Sequence, residues 1–196
     1  MYSDDSKLWS AFQQGDEQAY SLMYQQFVPN LFSYGMKICR NEDLVRDCIQ
    51  DLFVYIWDNR RTLGQVQSIK FYLSSSLKRE LIRRINRTNQ PLFLEKDALD
   101  AYDFEIALDV ESLTIQEEMS SEQIKRLRDL LNQLPPRQKE AIYLCFYENL
   151  SYAQIAELMN IAEGVAYNFV YRALLVLKRN MVSIIVMLIV FESNTV

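Results

Sequence analysis

From Leu150 to Arg179 the chain reads LSYAQIAELMNIAEGVAYNFVYRALLVLKR, a spacing of polar and apolar residues that fits two short helices meeting at a tight turn. Ser151 followed three residues later by Gln154 is capping-box spacing, and Leu150 and Ile155 stand where a hydrophobic staple closes. The first helix is expected over Tyr152 to Met159, with Ile155, Ala156 and Met159 on one face. Asn160 stands where the chain needs a left-handed backbone, which Asn tolerates better than any residue but Gly. Ile161 should turn inward, and a second helix should begin near Glu163 with Ala166, Val170 and Ala173 at helical spacing. Small Ala156 and Ala166 let the two helices cross closely. This is the pattern of a DNA-binding helix-turn-helix, whose second helix enters the major groove. An ordinary helical hairpin is the alternative.

The flanks favour the first reading. Leu134-Pro135-Pro136 ends one helix, and another starts at Arg137-Gln138-Lys139-Glu140 and runs apolar through Ile142, Leu144, Cys145 and Phe146. Two short helices cannot bury a core alone, so a supporting helix is what a compact DNA-reading domain requires. Composition agrees with an all-α chain: of 196 residues, 49% are hydrophobic and only four are Gly and four Pro. Histidine is absent, which removes His-based acid–base catalysis and most catalytic zinc sites. No phosphate loop or paired-carboxylate motif is present, so neither an enzyme nor a cofactor is expected. Cys39, Cys48 and Cys145 are too widely spaced for a metal-ligand pair, and are expected as core or half-buried thiols in a reducing cytosol. The N-terminal MYSDDSKLWS lacks the basic and apolar regions of a signal peptide.

A net charge of −5 counts at first against a nucleic-acid binder. The charge is unevenly placed, however. Residues 1–85 have a net of +1, residues 86–122 a net of −8, and residues 123–196 a net of +2. The expected architecture is therefore two small helical domains joined by a flexible acidic linker, the second containing the helix-turn-helix. Its parts are 1–87, a linker over 88–122, 123–180, and an apolar tail over 181–196. Such a protein should bind DNA weakly by itself, because the phosphate term is small.

Along the first domain, a helix is expected from Asp4 to Phe12, a stop at Gln13-Gln14-Gly15-Asp16, and then a long helical pattern from Glu17 to Ile38 in which Pro29 should bend the path or occupy a first turn. Asn41-Glu42-Asp43 starts the next helix, with an apolar face of Leu44, Val45, Cys48, Ile49, Leu52, Phe53, Ile56 and Trp57. Its other side shows Arg46, Asp47, Gln50, Asp51 and Asp58, which on pattern alone is a solvated face. Asn59 to Gln67 reads as a polar loop. Ser68 caps a helix over Ile69 to Ile85, whose exposed cations are Lys70, Lys78, Arg79, Arg83, Arg84 and, just beyond, Arg87. So many cations exceed what a helix dipole calls for, and suggest a face that tracks phosphates. In the connector a helical piece is expected near Ile115 to Met119, and Ile124, Leu127, Leu130 and Leu131 begin the second domain. The tail from Met181 to Phe191 is too short for an ordinary membrane span, and reads as a docked or protein-bound helix end.

Taken together these pieces resemble a bacterial RNA polymerase sigma factor of the sigma-70 family, in its small two-domain extracytoplasmic-function group, over roughly residues 7–180. NEDLVRDCIQDLFVYIW, from Asn41 to Trp57, resembles the helix that docks on the polymerase largest subunit. The resemblance implies core-polymerase binding by Asp47, Gln50, Asp51, Phe53 and Trp57. IKFYLSSSLKRELIRR, from Ile69 to Arg84, resembles the segment that recognises and melts the −10 promoter element. It implies −10 DNA contacts by Lys70, Phe71, Tyr72, Lys78, Arg79, Arg83 and Arg84, although Phe71 and Tyr72 could equally be core. The preceding loop, Leu63 to Gln67, matches the place where the family captures a flipped base. Arg79 stands where the family commonly has Asn, and Arg83 where it has Asp or Asn. LPPRQKEAIYL and the helix-turn-helix resemble the region that reads the −35 element. By that likeness Arg137, Lys139, Glu163, Gly164, Tyr167, Asn168, Tyr171 and Arg172 face DNA. Ala162 replaces the usual Ser or Thr cap.

The resemblance implies a cytoplasmic, non-enzymatic promoter-specificity subunit with core RNA polymerase and promoter DNA as partners. Members of this group are often held by a membrane-bound anti-sigma factor, so such a partner is implied too. No small-molecule substrate and no direct membrane span are expected. A stand-alone helix-turn-helix regulator is the first rival, predicting tight DNA binding without polymerase. An adaptor that touches no DNA is the second.

Overall fold

The computed structural model describes residues 4–89, 104 and 121–180, all of whose regular structure is helical. The chain divides into two units, Met1–Asp103 and Phe104–Val196. In the first unit, α1 (Asp5–Gln13) starts at Asp4, whose carboxylate accepts from the Ser6 amide, and ends at Gly15 with φ +91°. α2 (Glu17–Ile38) is capped by Asp16, which accepts from the amides of Gln18 and Ala19. Pro29 lies inside this helix, which continues through it for 22 residues. α3 (Glu42–Asn59) is capped by Asn41, which accepts from Leu44 N at 3.0 Å. α4 (Ile69–Asn89) runs four residues beyond the expected end at Ile85. Ser68 caps it as expected, accepting from Phe71 N at 3.2 Å.

α2, α3 and α4 pack on one another, and α1 packs on α2. The core is built from Met23, Phe27, Leu31 and Tyr34 of α2, Val45, Ile49, Leu52 and Ile56 of α3, and Leu73, Leu77 and Leu81 of α4. Gly35 makes the crossing of α2 and α3 possible. A Cβ there would stand 2.7 Å from Val45 Cγ1. Cys48 is buried and Cys39 half-buried, and burial pushes the Cys48 thiol up to about 11.

In the second unit, α5 (Ser121–Asn132), α6 (Pro136–Ile142), α7 (Tyr152–Met159) and α8 (Glu163–Asn180) bury Leu127, Leu131, Ala141, Ile155, Ala166, Val170 and Ala173. α8 is the hub on which α5, α6 and α7 all pack. The run after Ile142 departs from an ordinary helix: Tyr143–Tyr147 is a π-helical turn, closed by Glu148 N donating to Tyr143 O at 3.1 Å. Tyr143 Oη donates to buried Glu148 at 2.8 Å. Asn149 leaves the turn with φ +54°. Phe104, in the middle of the expected linker, is fully buried with its ring 5.6 Å from Tyr143. The expectation of a largely flexible connector did not single out this ring. The helical piece near Ile115 to Met119 and the tail 181–196 lie outside the described residues.

Candidate functional site

Helical geometry sets Asp47, Gln50, Asp51 and Asp58 in line on the outward side of α3, and all four are exposed. Phe53 is not on that surface. It is 1% exposed, with its ring 4.9 Å from Tyr24 and 6.0 Å from Tyr20. Trp57 is half-buried, 4.8 Å from Tyr20 and covered by the Arg60 guanidinium at 4.3 Å. Both side chains therefore shape α3 from within, as the apolar period already put them. What the sequence reading missed is Val54 and Tyr55, exposed in the same row as the acids, with Tyr24 exposed on neighbouring α2. Position 54 is seven residues past Asp47 and four past Gln50, so the helical period was a signal that could have found it.

On α4, Arg79, Arg83 and Arg87 are exposed, and Lys70, Phe71, Tyr72 and Arg84 are half-buried. Tyr72 meets the Trp9 ring edge-on at 5.4 Å. Lys78 corrects the sequence expectation: it is 2% exposed. Next to small Ser74 and Ser75, also buried, a lysine stem can lie along apolar surface. Glu80 organises the C-terminal cations. It takes Arg83 in two bonds at 2.6 and 2.7 Å, and Arg84 Nε at 2.6 Å. The Arg83 hydrogen bond, opposed by burial and reinforced by Arg84, holds the Glu80 carboxyl below its ordinary range. Arg84 also reaches across to Asp51 of α3 in an ion pair, and those two carboxylates raise its own affinity for its proton. One residue of the −10 set is thus bonded to one of the polymerase set.

The loop between α3 and α4 is pinned by α1. Trp9 Nε1 donates to Gly64 O at 2.9 Å, Gln13 Nε2 to Leu63 O at 2.5 Å, and Gln65 Nε2 to Gln13 Oε1 at 2.9 Å. Asp5 accepts from Ile69 N at 2.9 Å. These contacts span 50 to 64 residues of sequence, beyond the reach of local pattern reading. Apart from its chain neighbours Leu63 and Gln65, no residue comes within 4 Å of where a Gly64 Cβ would stand.

The helix-turn-helix forms as its sequence dictates. Ser151 and Gln154 close both bonds of the capping box. Asn160 is left-handed, with φ and ψ both 52°. Ile161 N donates to Ala156 O at 2.9 Å and Asn160 N to Glu157 O at 3.2 Å, the bonds of a Schellman turn. On α8, Glu163, Gly164, Tyr167, Asn168, Tyr171 and Arg172 are all exposed. Tyr167 and Tyr171 are 50% and 48% exposed, and stack with planes 8° apart while Tyr152 of α7 meets Tyr167 edge-on. Arg137 and Lys139 do not join this face as free cations. Lys139 is 7% exposed, and half-buried Arg137 donates to Met159 O at 3.2 Å, tying α6 to the end of α7. Among the described residues no three His, Cys, Asp or Glu come together as metal ligands, and no helix is long and apolar enough to cross a membrane.

Comparison with known proteins agrees with both units. The family model for sigma-70 region 2 matches residues 23–90, and that for sigma-70 region 4 matches residues 124–177. An ECF RNA polymerase sigma-E factor of Haemophilus influenzae is 28% identical over 189 residues, covering 86% of this chain and 90% of the relative. The ECF RNA polymerase sigma factor SigK of Mycolicibacterium vanbaalenii is 23% identical, over 74% of this chain and 72% of its own. The fold resembles that of RpoE from Bartonella quintana, solved with the anti-sigma factor NepR, at TM-score 0.55 and 20% identity over 87% of this chain and 98% of that one. CnrH, solved with the cytosolic domain of CnrY, gives TM-score 0.54 and 16% identity over 89% and 95%. With region 2 and region 4 together covering more than half of its length, the chain belongs to the sigma-70 family of RNA polymerase sigma factors, in the extracytoplasmic-function group.

Proposed function

We propose that this chain is a dissociable promoter-specificity subunit: it binds core RNA polymerase through the first unit, reads the −10 element there, and reads the −35 element with α8. The observation that carries this is the pairing of faces in the first unit. An outward acid and amide row on α3 (Asp47, Gln50, Asp51) adjoins a cationic row on α4 (Arg79, Arg83, Arg84). The first suits a basic protein surface and the second suits phosphates. Val54 and Tyr55 add apolar contact area to the polymerase side. The polymerase supplies the catalysis and most of the nonspecific affinity for DNA, which reconciles the acidic net charge with promoter binding. Working with polymerase places the protein in the cytoplasm. The relative from Bartonella quintana was solved with an anti-sigma factor, and we extend that class of partner to this chain.

The test is equilibrium binding of the labelled protein to bacterial core polymerase, followed by transcription from a promoter selected with the reconstituted holoenzyme. Nanomolar, stoichiometric binding with promoter-dependent initiation is expected. No binding to polymerase, with direct capture of duplex DNA instead, would point to the stand-alone regulator.

A further inference from the structure

Phe104 stands in the acidic connector between Asp103 and Glu105, yet its ring is fully buried and belongs to the second unit. It packs at 5.6 Å against Tyr143, the first residue of the π-helical turn. Tyr143 is itself fixed from two sides. Its Oη donates to buried Glu148 at 2.8 Å, and its ring stacks on that of Tyr147 at 4.8 Å. Turns of this kind are uncommon and gather at functional sites. Here the turn supplies the surface on which a ring from the connector is seated.

A seated ring shortens the tether between the two units. From Asn89, the end of α4, the chain advances fifteen residues to Phe104 and thirty-two to Ser121, where α5 begins. An extended chain covers at most about 3.6 Å per residue, so by any path the reach is at most about 55 Å to the ring and about 115 Å to α5. The −10 and −35 elements are, by their positions, about 25 base pairs apart, or about 85 Å of straight duplex. The stretch of α4 from Arg79 to Asn89 adds about 15 Å to the tether, and a unit the size of the second is about 25 Å across. With Phe104 seated the whole reach is about 95 Å, only about three base pairs more than the promoter needs. Releasing the ring adds about 60 Å. We infer that Phe104 is a positioning residue that sets the longest −10 to −35 spacing this chain bridges, by fastening the connector to Tyr143 partway along its length. This rests on the proposed reading of the two elements by the two units, and it adds which promoters that pair accepts.

The test uses holoenzyme reconstituted from the full chain and core polymerase, on a promoter selected with it and on a copy whose spacer is longer by one helical turn. That turn is about ten base pairs and 34 Å, so both elements stay on one face of the duplex. Initiation is measured on each with the −35 sequence intact and scrambled. In the wild type the −35 sequence should stimulate the ordinary promoter and not the long one. Phe104→Ala should gain stimulation on the long promoter. On the ordinary one its stimulation should fall about threefold, because effective concentration drops as the −3/2 power of tether length. Ten Gly and Ser residues inserted between Lys96 and Asp97, ahead of the ring, add about 35 Å of reach and should also rescue the long promoter. The same insert between Asp109 and Val110, beyond the ring, should not. The two insertions leave the ring in place, so they decide the matter even if Phe104→Ala unfolds the second unit. Equal behaviour of the two insertions, whether both rescue or neither does, would overturn the inference, as would stimulation of the long promoter in the wild type. A merely structural role for Phe104 would lower stimulation on both promoters and gain none. Failure to bind core polymerase, or indifference to the −35 sequence at ordinary spacing, would strike the proposed function instead.

Discussion

Reversing the charge of Asp51 separates a docking role from a structural one. Asp51 is bonded to Arg84, and its side chain is 61% exposed against 26% for its partner. Ion pairs this open to water are worth about 0.2–1 kcal/mol. Asp51→Arg removes that pair and sets a cation near Arg84, but Arg84 keeps its bond to Glu80. The fold should therefore lose no more than about 2 kcal/mol, counting repulsion as similar in size to the lost attraction. Losing one side of a buried, hydrogen-bonded charge pair at an interface costs about 2–5 kcal/mol, much of it for stranding the other charge. Affinity for core polymerase should accordingly fall by roughly 30-fold or more. The assay pairs a fluorescence titration with core polymerase and a thermal melt of the free protein, with Glu157→Arg, an exposed position on α7, as the control expected to leave both unchanged. A folded Asp51→Arg protein whose Kd stays within about threefold of wild type, far short of the cost of a stranded interface charge, refutes the placement of polymerase on α3.

Lys78 and Arg79 are neighbours in sequence with opposite surroundings, so they should separate cleanly. Lys78→Ala should lower thermal stability by about 1–3 kcal/mol through lost buried contacts, whereas Arg79→Ala should leave the melt unchanged and weaken binding to −10 DNA by the holoenzyme. Equal effects on the melt would contradict the burial of Lys78. Gly35→Ala should destabilise the first unit despite the better helix propensity of Ala, because a branched, stiff Val45 stands 2.7 Å from the new Cβ; a raised melting temperature would show that α2 and α3 can part freely. Glu80 has its folded pKa lowered by Arg83 and Arg84, so its contribution to stability is present above the unfolded carboxyl value and is lost as pH falls through the lower folded one. Urea melts at stepped acidic pH should show that part of the acid loss missing in Glu80→Gln, and identical pH profiles for the two proteins would remove Glu80 from the network.

What could be read from the sequence was set by how local its cause is. The helix-turn-helix was legible because Ser151, Gln154 and Asn160 act on backbone groups within a few residues of themselves. The acid row on α3 was legible for the same reason, being a matter of helical period. Phe53 and Trp57 show where family likeness and periodicity disagree: the apolar period put both inside, and the structure buries Phe53 and half-buries Trp57. Lys78 defeated the assumption that a cation on an amphipathic helix faces water, because Ser74 and Ser75 leave it little side-chain bulk to climb over. The pinning of Leu63, Gly64 and Gln65 by Trp9 and Gln13 was invisible, since nothing in either segment names the other. Phe104 was hidden by its acidic neighbours, which set the average of the segment and masked one anchoring ring.

The make-up of α8 bears on how the two promoter contacts respond to their solution. From Glu163 to Leu177 its only cation is Arg172, and much of the exposed surface is the stacked pair Tyr167 and Tyr171. A −35 contact made through such a face displaces about one condensed counterion, since each neutralised phosphate contributes roughly 0.9 to the slope of affinity against ionic strength. The arginines of α4, set against phosphates as proposed, would displace more. Raising ionic strength should then loosen the −10 contact first, and a family of promoters ranked by their −35 sequences should keep its order while every member grows weaker.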